Sequence, residues 1–156
     1  MKAKVLFSVA VAAIAASCSS QQNSTEAVPE NEQAKEIINI QGEWNIDSIV
    51  VDESETVYPA KEDPETRQYI LFEDSTYAVH TNCNTISGWY TLDGDSIVIG
   101  DGMMTMMACE NMATEDALRK ILPAVVTITV ENDTTARLNT STPDSYIELS
   151  RAAVQE

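Results

Sequence analysis

Basic residues are scarce in this chain, nine against 25 acidic, giving a formal net charge of −16. A surface of that sign repels phosphate backbones and anionic lipid headgroups. Nucleic-acid binding is excluded, and no basic patch is available to hold a membrane. Histidine occurs once, at His80, and glycine five times. No Gly-x-Ser-x-Gly elbow is present, no triad order forms around His80, and no glycine-rich loop could cradle a phosphate. Long apolar runs are missing as well. The apolar stretch at residues 5–16 is about a dozen residues, too short for a spanning helix. Nothing in these absences argues for an enzyme or for a cofactor.

That short stretch has another reading. Lys2 and Lys4 precede it, and small residues lead from it to Cys18. This is the layout of a cleaved export signal. Ala15-Ala16-Ser17-Cys18 resembles the bacterial lipobox, in which cleavage leaves an amino-terminal cysteine that is acylated. The alternative is a conventional secretory signal with an incidental cysteine. Residues 1–17 are therefore expected to be a lipoprotein signal peptide, and Cys18 the lipidated residue. Loss of the signal removes two lysines and no acid, leaving seven basic against 25 acidic residues, a net −18. Residues 18–37 are polar, without an aromatic, and read as a disordered tether. Such a tether reaches roughly 25 Å, enough to hold a domain just off a membrane. Ser19 stands where an aspartate would favour inner-membrane retention. The first acid after Cys18 is Glu26. The expected location is the outer membrane, facing the periplasm.

With Cys18 lipidated, Cys83 and Cys109 remain as an even pair in an oxidising compartment, where one disulfide is the simplest outcome. Closing a loop of about 26 residues would stabilise the fold by roughly 3.5 kcal/mol.

Residues 38–151 have the size of one domain, followed by a tail at 152–156. Short alternating runs dominate it. "GEWNIDSIVV" places Trp44, Ile46, Ser48 and Val50 on one strand face. Residues 68–81 read as two strands around an acidic turn, and residues 88–100 as a hairpin with Asp-Gly at its bend. Residues 125–140 make a third hairpin, "SYIELS" a last strand, and residues 52–66 a polar loop. One helix is expected in "MATEDALRKILPA". Thr114 is its N-cap, Glu115 and Asp116 lie in its first turn, and Arg119 and Lys120 in its last, with Pro123 stopping it. Ala117, Leu118, Ile121 and Leu122 form its apolar stripe. The expected class is α+β: an antiparallel, β-rich, open barrel-like sheet of about seven or eight strands with one packed helix.

Several of these residues together resemble the META (HslJ-like) domain family. They are Gly42-x-Trp44, Cys83-Asn84, Gly88-Trp89-Tyr90, the Asp93-Gly94-Asp95 turn, Thr105-Met106-Met107-Ala108-Cys109 and Glu115. "TNCN" replaces the family's commoner Gly-Cys-Asn, and the acidic 52–66 loop is long. The resemblance covers residues 41–150. It implies a small antiparallel barrel-like fold with a packed helix, in envelope proteins that are often lipoproteins. One family member is linked to heat shock and to antibiotic tolerance.

Five methionines crowd residues 103–112: Met103, Met104, Met106, Met107 and Met112. If residues 103–109 are a strand, Met103, Thr105, Met107 and Cys109 share a face. Thioethers beside a thiolate select Cu(I), so Met103, Met104 and Met106 are candidate copper ligands. An exposed contact surface for a partner or lipid is another reading. Methionine is also a common filler of irregular cores, and packing is the leading expectation. His80 with Cys83 and Cys109 would make an incomplete zinc set, so a surface or strand-edge role is expected instead. Glu73, Asp74, Asp93, Asp95 and Asp101 all fall in tight turns, where they serve the backbone, with weak calcium binding at the hairpin tip as the alternative.

The functional expectation is a non-catalytic, lipid-anchored envelope protein. It would act in envelope maintenance or stress tolerance through a protein partner. The alternatives are a small apolar ligand or lipid held in the barrel interior and, more distantly, copper binding.

Overall fold

A computed structural model describes residues 38–59 and 67–152. The expected signal peptide, Cys18, the tether and residues 60–66 lie outside the described residues. The described residues form ten strands and one α-helix: β1 (Gly42–Asp52), β2 (Glu55–Val57), β3 (Tyr69–Phe72), β4 (Thr76–His80), β5 (Thr85–Asp93), β6 (Ser96–Ile99), β7 (Met103–Met104), α1 (Ala113–Ile121), β8 (Val125–Asn132), β9 (Thr135–Thr140) and β10 (Tyr146–Arg151). A 3-10 turn, Leu122–Ala124, links α1 to β8.

All pairings are antiparallel, and the sheet closes. Its order runs β10-β9-β8-β6-β5-β4-β3-β1, and β1 then pairs with β10. The result is the expected α+β, barrel-like antiparallel sheet, here an eight-stranded barrel that is closed and not open, with β2 and β7 as additions at its rim. Closure depends on the length of β1. One edge of this strand takes β3 at residues 42–45 and β2 at residues 49–52, while the other pairs with β10 from Trp44 to Val50. The β6–β8 ladder is far shorter, a single pair at Ser96 and Thr127 beside the bond from Ile128 N–H to Asp95 carbonyl.

Alternation along β1 breaks at a bulge between Ile46 and Ser48. The extra residue, Asp47, accepts a bond from the Ser150 hydroxyl at 2.9 Å. Beyond it the parity flips, as a bulge requires. Ile49, not Val50, is therefore the fully buried residue there. The interior is filled by side chains, with Trp44, Phe72, Ile70, Ile97, Ile128, Leu138 and Ile147 all almost wholly buried. Trp44 is satisfied inside this core because its indole N–H reaches the Ile40 carbonyl at 2.7 Å.

The two ends of the barrel differ. At one end the chain enters at residues 38–42 and leaves at Arg151, beside the 73–75, 94–95 and 133–134 turns. Arg151 binds this end together, covering Trp44 at 4.1 Å and donating to the carbonyls of Asn39, Gln41 and Asp133. Gly94 turns the β5–β6 hairpin at φ 66°, a conformation in which glycine meets no Cβ penalty. The opposite end carries β2, the 81–84 turn, β7, the irregular segment 105–112 and α1.

Helix α1 begins at Ala113, one residue before the expected cap. Thr114 is buried within the first turn, and no side chain caps the helix. Asn111 instead accepts from the Ala113 N–H at 3.1 Å. Ala117, Leu118, Ile121 and Leu122 are all buried, as their spacing predicts.

Candidate functional site

The helix end is organised by the turn at residues 81–84. The Thr81 hydroxyl accepts from the backbone N–H groups of Cys83 at 3.1 Å and Asn84 at 2.8 Å, and donates to the Asn84 carbonyl at 2.8 Å. This local bonding is typical of a short hydroxyl side chain in a turn. It presents Cys83 and Asn84 to the segment that follows β7. Cys83 and Cys109 form a disulfide, with Cα atoms 6.0 Å apart.

Asn84, 3 % exposed, completes the attachment. Its Oδ1 accepts from the Thr105 hydroxyl at 2.7 Å and the Met107 N–H at 2.8 Å. Its Nδ2 donates to the Met107 carbonyl at 3.0 Å and to Glu115 Oε2 at 2.8 Å. Both lone pairs and both N–H groups are used, which is all an asparagine amide offers. One side chain thus ties β5, the 105–109 segment and the first turn of α1 together. Glu115, 1 % exposed, is the surprise of this cluster. The sequence reading placed it with Asp116 as a favourable first-turn charge, yet only Asp116 is on the surface. The acid in the family pattern was a signal that it had a specific partner.

The other motif residues serve the frame. Gly88 lies against Tyr77, where an added Cβ would meet the ring at 2.9 Å and the Asp101 carbonyl at 3.1 Å. Tyr90 is buried edge-on to Phe72, with ring centroids 5.2 Å apart, and donates to the Glu73 carbonyl at 2.6 Å. Thr105 also accepts from the Thr85 N–H at 3.0 Å. Ala108 is exposed.

The methionines correct the packing expectation. Only Met103 and Met104 form strand β7, and residues 105–111 are irregular. Met103 is 80 % exposed, Met106 84 % and Met107 58 %. Met104 is half-buried and packs against the core, and Met112 is half-buried too. The segment is fixed by bonds to its backbone and by the disulfide, so its thioethers need not enter the core to hold it. Cys109, bonded to Cys83, is unavailable to copper as a thiolate. Among the described residues, no three His, Cys, Asp or Glu side chains cluster as metal ligands do.

His80 lies on β4, stacked on Tyr69 at 4.6 Å and 3.4 Å from the Thr85 hydroxyl. The turn acids are engaged locally. Glu73 accepts from Thr76 at 3.3 Å, Asp74 accepts from Gln41 at 2.9 Å, and Asp93 also has a partner.

A groove of about 460 Å³ opens beside this cluster, between α1 and the β5–β7 wall. It lies where the β6–β8 ladder stops. Ile86, Ile99, Met104, Leu118, Leu122 and Pro123 give it apolar walls. Arg119 lines it on the helix side, and Asp101 and Tyr77 on the sheet side. The Tyr77 hydroxyl donates to the Gly100 carbonyl at 3.2 Å. Burial, and secondarily the charge of Asp101, raise the pKa of this phenol above its ordinary value. No local pattern signals this groove, because its walls come from four separate stretches of chain, at residues 77, 86, 99–104 and 118–123.

No curated protein matches the sequence. A protein from Burkholderia xenovorans, known from an NMR structure, is similar in fold with a TM-score of 0.59 at 13 % identity, over 81 % of this chain and 99 % of that one. A DUF4847 family protein from Bacteroides vulgatus, known from a crystal structure, has a TM-score of 0.50 at 14 % identity, over 74 % of this chain and 95 % of the other. At such identities the likeness speaks for the fold alone. The sequence itself matches the META domain over residues 36–152, which takes in every strand and the clamp around Asn84. The chain belongs to the META domain family.

Proposed function

We propose that this protein is a lipid-anchored, non-catalytic component of the bacterial envelope that acts by binding a protein partner through residues 103–107. The observation that carries this reading is the exposure of Met103, Met106 and Met107 on a segment held by a disulfide and by Asn84. Exposed apolar side chains on a fixed backbone form a contact surface with little ordering entropy left to lose. Unbranched thioethers adapt to the shape they meet.

The position of this surface supports the reading. The described chain enters the domain at residues 38–42, at the opposite end of the barrel from the methionines. Binding, rather than catalysis, fits the scattered acids and the stacked His80. Outer-membrane attachment facing the periplasm, with a role in envelope maintenance or stress tolerance, is part of this proposal and is supported by the lipobox-like amino-terminal sequence.

Fractionation tests the anchor. Wild type is expected with outer membranes and Cys18→Ala in the soluble periplasm; wild type in the soluble fraction would sink the lipoprotein reading. Affinity capture from cross-linked envelopes tests the partner. One discrete protein should be enriched with wild type and lost when Met103, Met106 and Met107 are replaced by glutamine.

A second reading, small-ligand binding, is favoured by the groove beside α1. Core side chains fill the barrel interior, so the ligand would sit at the seam and not inside.

A further inference from the structure

Five cations fall among the described residues: Arg67, Arg119, Lys120, Arg137 and Arg151. Three are in ion pairs, Arg67 with Glu43, Lys120 with Glu55 and Arg137 with Glu148. Arg151 donates to three backbone carbonyls. Arg119 alone of these five makes no ion pair or hydrogen bond with the described residues. In a chain with 25 acids against nine bases, an acid without a partner is unavoidable and carries no information. A cation without one is the exception, and this one lines the apolar groove.

From this we infer that the groove between α1 and the β5–β7 wall binds a small amphiphile, an apolar chain with an anionic head paired to Arg119. The inference deepens the ligand reading above and is independent of the methionine surface. The groove's volume of about 460 Å³ suits one small molecule. Its apolar side chains, Ile86, Ile99, Leu118 and Leu122 among them, match an aliphatic body. The guanidinium fork suits a carboxylate or a phosphate head. Asp101, on the opposite wall, disfavours an anion on the sheet side and so directs the head towards the helix.

The probe is dodecanoate, titrated calorimetrically below its micelle concentration into the full chain carrying Cys18→Ala, so that no acyl group of its own competes. One site per chain is expected. Acetate should not bind, and dodecyltrimethylammonium, with the same body and opposite charge, should bind at least tenfold more weakly. Arg119→Gln should weaken dodecanoate by about five- to tenfold, to the level of dodecanol, while Asp101→Asn should leave it unchanged or tighter. Methyl shifts in the titration should fall on Ile86, Ile99, Leu118 and Leu122. The inference is overturned if dodecanoate does not bind, if the cationic probe binds equally, or if Arg119→Gln has no effect. The Met103→Gln/Met106→Gln/Met107→Gln variant should bind dodecanoate as wild type does. Loss of the ligand site would therefore leave the partner reading standing, and the reverse holds too.

Discussion

Asn84 and Glu115, 31 residues apart in sequence, meet in a buried hydrogen bond of 2.8 Å. Asn84 Nδ2 donates, Glu115 Oε2 accepts, and the same amide takes up the Thr105 hydroxyl and both backbone groups of Met107. This bond joins the first turn of α1 to the barrel at the point where the disulfide joins the methionine segment. Removing it should be costly, because a buried carboxyl would lose its described partner. Asn84→Ala is expected to lower unfolding stability by about 3 kcal/mol. Glu115→Gln, which keeps the shape, should cost less. Urea denaturation of the two variants and their combination gives the coupling as a double-mutant cycle.

The disulfide contributes separately. Replacing Cys83 and Cys109 together by alanine should destabilise the domain by roughly 3.5 kcal/mol for the loop of 26 residues. The denaturation midpoint of the variant should match that of reduced wild type. A midpoint unchanged from oxidised wild type would mean that the Asn84 bonds hold the segment without it.

Methionine exposure predicts an order of oxidation. With dilute peroxide, sulfoxide should form first at Met103 and Met106, then at Met107, while Met104 reacts last. Peptide mass spectrometry reads this directly. For the same reason Met103→Gln, Met106→Gln and Met107→Gln should each change stability by less than about 0.5 kcal/mol, whereas Met104→Ala should cost about 1–3 kcal/mol.

Alkaline pH should act through two tyrosines. Burial, reinforced by Asp101 at Tyr77 and by Asp74 at Tyr90, raises both phenol pKa values in the folded state above 10.0. The unfolded chain therefore loses these protons first as pH rises, and it is stabilised relative to the fold. Their contribution is complete below pH 10 and declines above it. Tyr77→Phe should be less stable than wild type at neutral pH, where it lacks the bond to Gly100. The difference should narrow as pH climbs past 10, as measured by chemical denaturation across that range.

Strand content and helix position were legible in the sequence because each depends on local pattern, and the cysteine pair because only Cys83 and Cys109 remain beyond Cys18. The alternation of β3 to β6, the Asp-Gly bend and the stripe of Ala117, Leu118 and Ile121 all persist in the fold. What failed depended on distant residues. Ile49 is buried in place of Val50 because Asp47 bulges against β10, about a hundred residues away. Closure of the barrel requires both edges of β1, which no local pattern reveals. Met103, Met106 and Met107 read as core by composition but are exposed, since their segment is held through its backbone by Asn84. Arg119 looked like a favourable last-turn charge. Only the engagement of the other four described cations makes it distinctive.

The partner surface is tested most directly by photo-methionine cross-linking in whole cells, because the reactive group then sits at Met103, Met106 and Met107 themselves. The account predicts one discrete protein adduct, with its cross-linked peptide spanning residues 103–107. That adduct should vanish in the Met103→Gln/Met106→Gln/Met107→Gln variant while abundance and membrane attachment stay unchanged. An adduct that persists in the variant, or no protein adduct from wild type, would contradict it.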